Sequence, residues 1–238
     1  MACFGETLKL CVSDSNWYPF VIIKENTVSG AYVDILNATI KSLPHEIQFV
    51  ALPWKRCLQQ AQNGKYDGIA GVSFQNKRAK YLNYPSDINN LKTSSFQLSQ
   101  VEYVIVTMSD TRFEYRGDAR EIPSPLRSPF GFSIGIELEK QGLIVDNAAL
   151  SDEANILKLR RDQSGSVILI REMANLLVAN HPDLLIHKLP LKSKSYFLAF
   201  SKKSKLTSEQ KKQFWRAGKV IREDKALISK IYEKYRQN

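Results

Sequence analysis

The sequence predicts an α/β protein of two lobes, each a mainly parallel sheet flanked by helices, joined by two crossings of the chain. Three observations predict it. Strand-like and helix-like segments alternate in β-α-β-α-β order from Leu8 to Val72, which favours parallel strands with crossover helices. The strands fall into two sets, parted near Glu102 and again near Lys194. The length of 238 residues allows each set its own core. The expected lobes are residues 1–102 with 194–238, and residues 103–193.

The elements follow in order. Leu8–Ser13 is a short apolar strand, and Asp14–Phe20 a loop punctuated by Pro19. Ala31–Leu43 carries Val33, Leu36, Ile40 and Leu43 at helical spacing and stops at Pro44. Ile47–Leu52 is a strand. Trp54–Gln62 is a helix that starts after Pro53 and ends at Gly64. Gly68–Val72 is the third strand. A polar stretch then leads to the strong strand Val101–Met108, and residues 112–129 read as loop with one weak strand. Ser133–Gln141 is a helix with Ser133 as its N-cap, and Asp152–Arg160 one capped by Ser151 or Asp152. The strand Val167–Ile170 and the helix Glu172–Ala179 come next. Leu184–Leu189 and Tyr196–Phe200 are strands, and Ser208–Val220 and Lys225–Tyr235 are closing helices.

Composition excludes several classes. Hydrophobic residues make up 43% and charged residues 24%, as in ordinary globular proteins, and no apolar run is long enough to span a membrane. The net charge of +10 comes largely from lysines in the last third, such as Lys202, Lys203, Lys211 and Lys212, with no nucleic-acid-binding motif beside them. They read as a solvated basic surface. Cys3, Cys11 and Cys57 form no Cys-x-x-Cys pair, and His45, His181 and His187 show no metal spacing, so no metal or cofactor is expected. Cys11 and Cys57 sit on apolar faces and read as small buried hydrophobes; whether any two cysteines pair stays open. No signal peptide is visible, and Met1-Ala2-Cys3 reads as a mature end with an added Met.

Four segments in order carry a family resemblance: VSDSNWYPF at 12–20, PWKRCLQQAQNGKYDGIAGVSFQNKR at 53–78, GFSIG at 131–135, and the closing stretch that opens with YFLAFSKKS at 196–204. The chain resembles the periplasmic solute-binding proteins of the polar amino-acid type, receptors of ATP-binding-cassette importers. That resemblance covers nearly the whole chain. It implies the two-lobed type II periplasmic-binding-protein fold, hinge bending at the two crossings, and a ligand held in an interlobe cleft.

The resemblance assigns roles to particular residues. Arg78 would bind the ligand's carboxylate, since a guanidinium fork pairs two-pronged with a carboxylate. Ser73 and the backbone at Gly71 would complete that site, glycine allowing close approach. Trp17 and Trp54 would wall the ligand, and Asp14 would add a polar contact or bond the loop's own amides. Gly131, Phe132 and Ser133 open a helix whose free N–H groups suit an anion. The sequence departs from the family where an acidic residue should hold an α-ammonium: that place falls on Met173, with Glu172 beside it. Glu172 serves if the register shifts by one.

The function this implies is capture of a small carboxylate-bearing, amino-acid-like ligand by a periplasmic monomer, for the permease of an importer or for a sensor. A lipid anchor at Cys3 is the further option. The competing function is a cyclohexadienyl or prephenate dehydratase-like enzyme on the same scaffold, which needs a placed acid or base. Glu172, Asp14 and His45 are its thin candidates, and no catalytic triad or phosphate loop appears, so no enzymatic activity is expected.

Overall fold

The computed structural model describes residues 6–25, 27–87 and 94–235. Cys3 therefore lies outside the described residues. The chain divides into two compact units: unit 1 is Met1–Gln100 with Ser195–Asn238, and unit 2 is Val101–Lys194.

In chain order, unit 1 begins with β1 (Thr7–Ser13), the hairpin β2 (Ile22–Lys24) and β3 (Thr27–Ser29), α1 (Ala31–Ile40), β4 (Glu46–Leu52), α2 (Trp54–Asn63), β5 (Gly68–Ser73), the single turn α3 (Asn76–Ala79) and β6 (Leu82–Asn83). The chain crosses along β7 (Ser99–Met108) into unit 2, which holds β8 (Leu126–Arg127), α4 (Ser133–Lys140), β9 (Val145–Asp146), α5 (Asp152–Asp162), β10 (Ser166–Ile170), α6 (Arg171–Val178) and β11 (Leu184–Ile186). It returns along β12 (Lys192–Ser201) to α7 (Ser208–Glu223) and α8 (Lys225–Glu233).

In unit 1, β1 lies parallel between β4 and β5. The returning β12 is antiparallel to β5 and β6, so the sheet is mixed. Every residue of β5 is buried, which explains its unbroken small and apolar sequence GIAGVS. Asp67, just before β5, accepts a hydrogen bond from the Lys9 amide, a structural role that fixes the strand's start. The proline-led start of α2 and its stop at Gly64, at φ +81°, hold as the residues dictate. Helix α1 ends at Ile40, three residues before Leu43; the chain turns at 41–44 instead.

A disulfide joins Cys11 of β1 to Cys57 of α2, and both residues are wholly buried. The two cysteines are thus core residues and a crosslink at once. Around them pack Ala61, Ile69, Val72, Leu82 and Ala199, with Trp54 and Tyr84 at the margin.

Unit 2 is also mixed. Strand β10 runs parallel to β8 and antiparallel to β7, β8 runs parallel to β9, and β11 runs antiparallel to β7. Ser151 caps α5 by accepting from the Ala154 amide at 3.2 Å, settling the choice between Ser151 and Asp152. Ser133 does not cap α4. The N-cap is Phe132, and Ser133 is the first helical residue. The strands 22–24 and 27–29, and the two-residue strands β6 and β9, are additions to the sequence reading, while β8 falls where one weak strand was expected within 112–129.

Candidate functional site

Unit 1 gathers Ser73, Arg78, Trp54 and Tyr84. Strand β5 delivers Ser73 at its end, and the chain turns through residues 74–75 into α3, which carries Arg78 back over that strand end. Arg78 is only 3% exposed. Its Nη1 donates to the Ser73 carbonyl at 3.1 Å and to the Ser73 hydroxyl at 3.0 Å. The guanidinium carbon stands 5.4 Å from the centre of the Trp54 ring, a cation–π distance. Tyr84 donates its hydroxyl to the same Ser73 carbonyl at 3.0 Å.

The electrostatics are one-sided. Among the described residues no carboxylate lies within ion-pair reach of Arg78, and neither its Nε nor its Nη2 makes a hydrogen bond. Burial pushes the Tyr84 hydroxyl well above the ordinary phenol range, and the Arg78 charge only partly opposes it, so Tyr84 stays a neutral donor. A buried cation with two unused donor directions is an anchor for an anion from outside the chain.

The other expected residues of unit 1 are placed differently. Trp17 is 7% exposed and packed among Phe20, Tyr32 and Tyr196, with ring centres 5.1, 5.9 and 4.6 Å away. It is built into an aromatic cluster. Gly71 takes φ +79°, and a Cβ there would come within 2.6 Å of the Tyr32 ring. The absent side chain thus makes room for an aromatic ring of the protein itself. Asp14 is exposed; its amide donates to the Leu52 carbonyl at 3.0 Å, and the nearby Ser15 amide is bonded by the Ser13 hydroxyl.

In unit 2, Gly131 and Phe132 lead into α4, with Gly131 at φ +77°. Ser133 is buried, and its hydroxyl accepts from the Lys194 ammonium at 2.5 Å. Lys194 also donates to Glu137 at 2.6 Å, and Lys192 donates to the other oxygen of Glu137 at 2.7 Å. Burial alone would raise the Glu137 carboxyl, but the two lysines outweigh it and hold it below the usual range. Two ammonium groups against one carboxylate leave this helix end positive. Glu172, in the first turn of α6, has a buried Oε2 with no hydrogen-bond partner among the described residues. Burial raises its carboxyl above the usual range, and its own amide and Arg171 pull it only partly back.

Lys194, Tyr84 and Glu137 were not singled out by the sequence. Lys194 lies 61 residues from Ser133, so no local pattern links them. The only signal was a lysine at the second chain crossing.

This architecture, two α/β units exchanged by two crossing strands, is that of the type II periplasmic binding proteins, a class of solute-binding proteins. The chain belongs to the bacterial extracellular solute-binding proteins, family 3, which it matches over residues 9–238. Compared by sequence with curated proteins, it matches none. Among solved structures it is similar to a mutant of the arginine-binding protein ArgBP from T. maritima, at 22% identity, 96% of this chain, 94% of that chain and a TM-score of 0.74. It is similar to the arginine-, lysine-, histidine-binding protein ArtJ from Geobacillus stearothermophilus, at 18% identity, 96% and 94% coverage and a TM-score of 0.75. A third likeness is to a Streptococcus mutans structure concerned with glutathione import via GshT and the cystine importer TcyBC, at 15% identity, 97% and 95% coverage and a TM-score of 0.78. At these identities the likeness is one of fold.

Proposed function

We propose that this protein captures an amino-acid-like carboxylate in the periplasm and hands it to an ATP-binding-cassette importer, without chemical change. The observation that carries the reading is Arg78: an arginine only 3% exposed, its guanidinium held by Ser73, stacked near Trp54, and lacking a carboxylate of its own among the described residues. Burying such a charge is unfavourable unless a partner arrives. Arg78 and Ser73 hold the ligand's carboxylate, and Trp54 covers it. The opening turn of α4, at Gly131, Phe132 and Ser133, favours anionic groups, and Lys194 strengthens that preference. Glu172 is the group assigned to a ligand's ammonium, its bare Oε2 being an acceptor without a donor. The ligands named for ArgBP, ArtJ and the glutathione system, all amino-acid-like carboxylates, support the same class. Among the described residues no helix is long and apolar enough to cross a membrane. The receptor is read as an extracytoplasmic monomer.

The test is a thermal-shift screen of L-amino acids and small peptides, each beside its C-terminal amide. At a ligand concentration 100 times Kd, stabilisation of about 2.7 kcal/mol is expected for the acid. The amide should give none. Equal stabilisation by acid and amide, or by no member of the panel, overturns the assignment.

A further inference from the structure

Apart from the Arg78 cluster, unit 1 holds a cavity of about 430 Å³ between α7 and the end of β6 with the segment after it. Lys211, Lys212, Arg216 and Ser208 of α7 line one wall, and Asn83 and Tyr84 the other. Lys211 is the unusual member. It is 6% exposed and, with Phe214 three residues on, forms the buried face of α7. An apolar side chain is the ordinary occupant of such a position. Among the described residues, the Lys211 ammonium has no hydrogen-bond acceptor and no carboxylate within ion-pair reach. Burial lowers its proton affinity, and Asp67 offsets this only through space.

The neighbouring charges point the same way. Arg216 meets Glu209 at 3.2 Å, and Lys212 reaches the same carboxylate only at 4.0 Å. Three cations against Glu209 and the more distant Asp67 leave this wall with a net positive charge. Asn83 and Ser208 add neutral donors, and an arginine fork beside a buried ammonium suits a tetrahedral oxyanion.

We propose that this cavity is a binding site for a phosphate-class anion, with Lys211 as its central contact. A net positive wall with an arginine fork beside a buried ammonium suits the several oxygens of a phosphate monoester. The site borders the Arg78 cluster at Tyr84 but takes a ligand distinct from the one assigned to Arg78. Its source is either the free ion or a phosphomonoester lipid headgroup, and the two are separable.

The experiment uses the whole purified chain with inorganic phosphate as probe, at constant ionic strength set with sodium chloride. Phosphate should raise Tm by several degrees over the chloride control. Lys211→Met should abolish that rise while melting, without phosphate, no lower than the parent. Arg216→Gln should fold normally and weaken phosphate binding about tenfold by calorimetry. Sedimentation with vesicles containing phosphatidic acid that is lost in Lys211→Met and displaced by phosphate assigns the headgroup; a phosphate shift without sedimentation assigns the free ion. No phosphate-specific shift, or one that persists in Lys211→Met, overturns the site.

Discussion

Tyr84 and Arg78 share one acceptor: both donate to the main-chain carbonyl of Ser73, at 3.0 and 3.1 Å. That carbonyl ends β5, so a backbone acceptor helps set the position of the guanidinium, alongside the Ser73 hydroxyl. Tyr84→Phe removes one donor and leaves the Arg78 bond. The expected loss is about 1 kcal/mol of stability, with ligand affinity reduced about fivefold through looser placement of Arg78. Chemical denaturation and calorimetry on the same variant read both.

Arg78 is the larger test. Arg78→Met keeps the bulk and removes the charge. Ligand affinity should fall by about 2–5 kcal/mol, which removes any thermal shift. The free protein should be as stable as the parent or more so, because an unpaired buried charge has been replaced by an apolar side chain. Arg78→Lys should recover little, since a lysine cannot present the planar fork. A methionine variant that binds normally removes Arg78 from the site.

Glu172 predicts a pH effect with a definite sign. Burial raises its pKa in the folded chain above the ordinary 4.5. The folded state therefore favours the protonated form, so this group's contribution to stability is fully present below about 4.5 and is lost as pH climbs through the folded value. Glu172→Gln should stabilise the free protein at neutral pH, and the gain should shrink as pH is lowered toward 4.5. The same variant should weaken ligands bearing an ammonium and spare those lacking one. Urea midpoints across pH 4 to 8 follow the first effect.

The Cys11–Cys57 bridge closes a loop with a sequence separation of 46 residues, for which chain entropy gives about 4 kcal/mol of stabilisation. Reduction, or replacement of both cysteines by alanine, should lower Tm markedly in unit 1 before unit 2. Hydrogen exchange resolved by segment distinguishes this from uniform loosening, which would count against the bridge as a local brace.

Much of the fold was legible because its signals are local. The spacing of Val33 and Leu36, Pro53 before α2 and Gly64 after it, and the unbroken run GIAGVS all mark elements through their own residues. The hairpin at 22–29 was not legible, because its strands are three residues long and partly polar. Arg78 was legible only through the resemblance; nothing in NKRA distinguishes a buried arginine from a surface turn. The assignments that the structure revises share one cause, a partner distant in sequence. The Ser133 hydroxyl was expected to cap its helix but is taken by Lys194, and the missing side chain at Gly71 also makes room for the Tyr32 ring. Lys211 read as part of a solvated face because its charged neighbours Glu209, Lys212 and Arg216 do lie outward; its burial follows from how α7 is rotated, which its own composition does not declare.

The packing of Tyr32 against Gly71 carries a warning for mutational scans. Even alanine at position 71 must displace an aromatic ring whose hydroxyl is bonded to Ser99. Such a variant disturbs strand β5 two residues from Ser73, so it will score as a binding defect whether or not that position meets the guest molecule. Sensitivity at that position maps the scaffold's tolerance, and a screen that equates lost capture with direct contact will draw the wrong footprint.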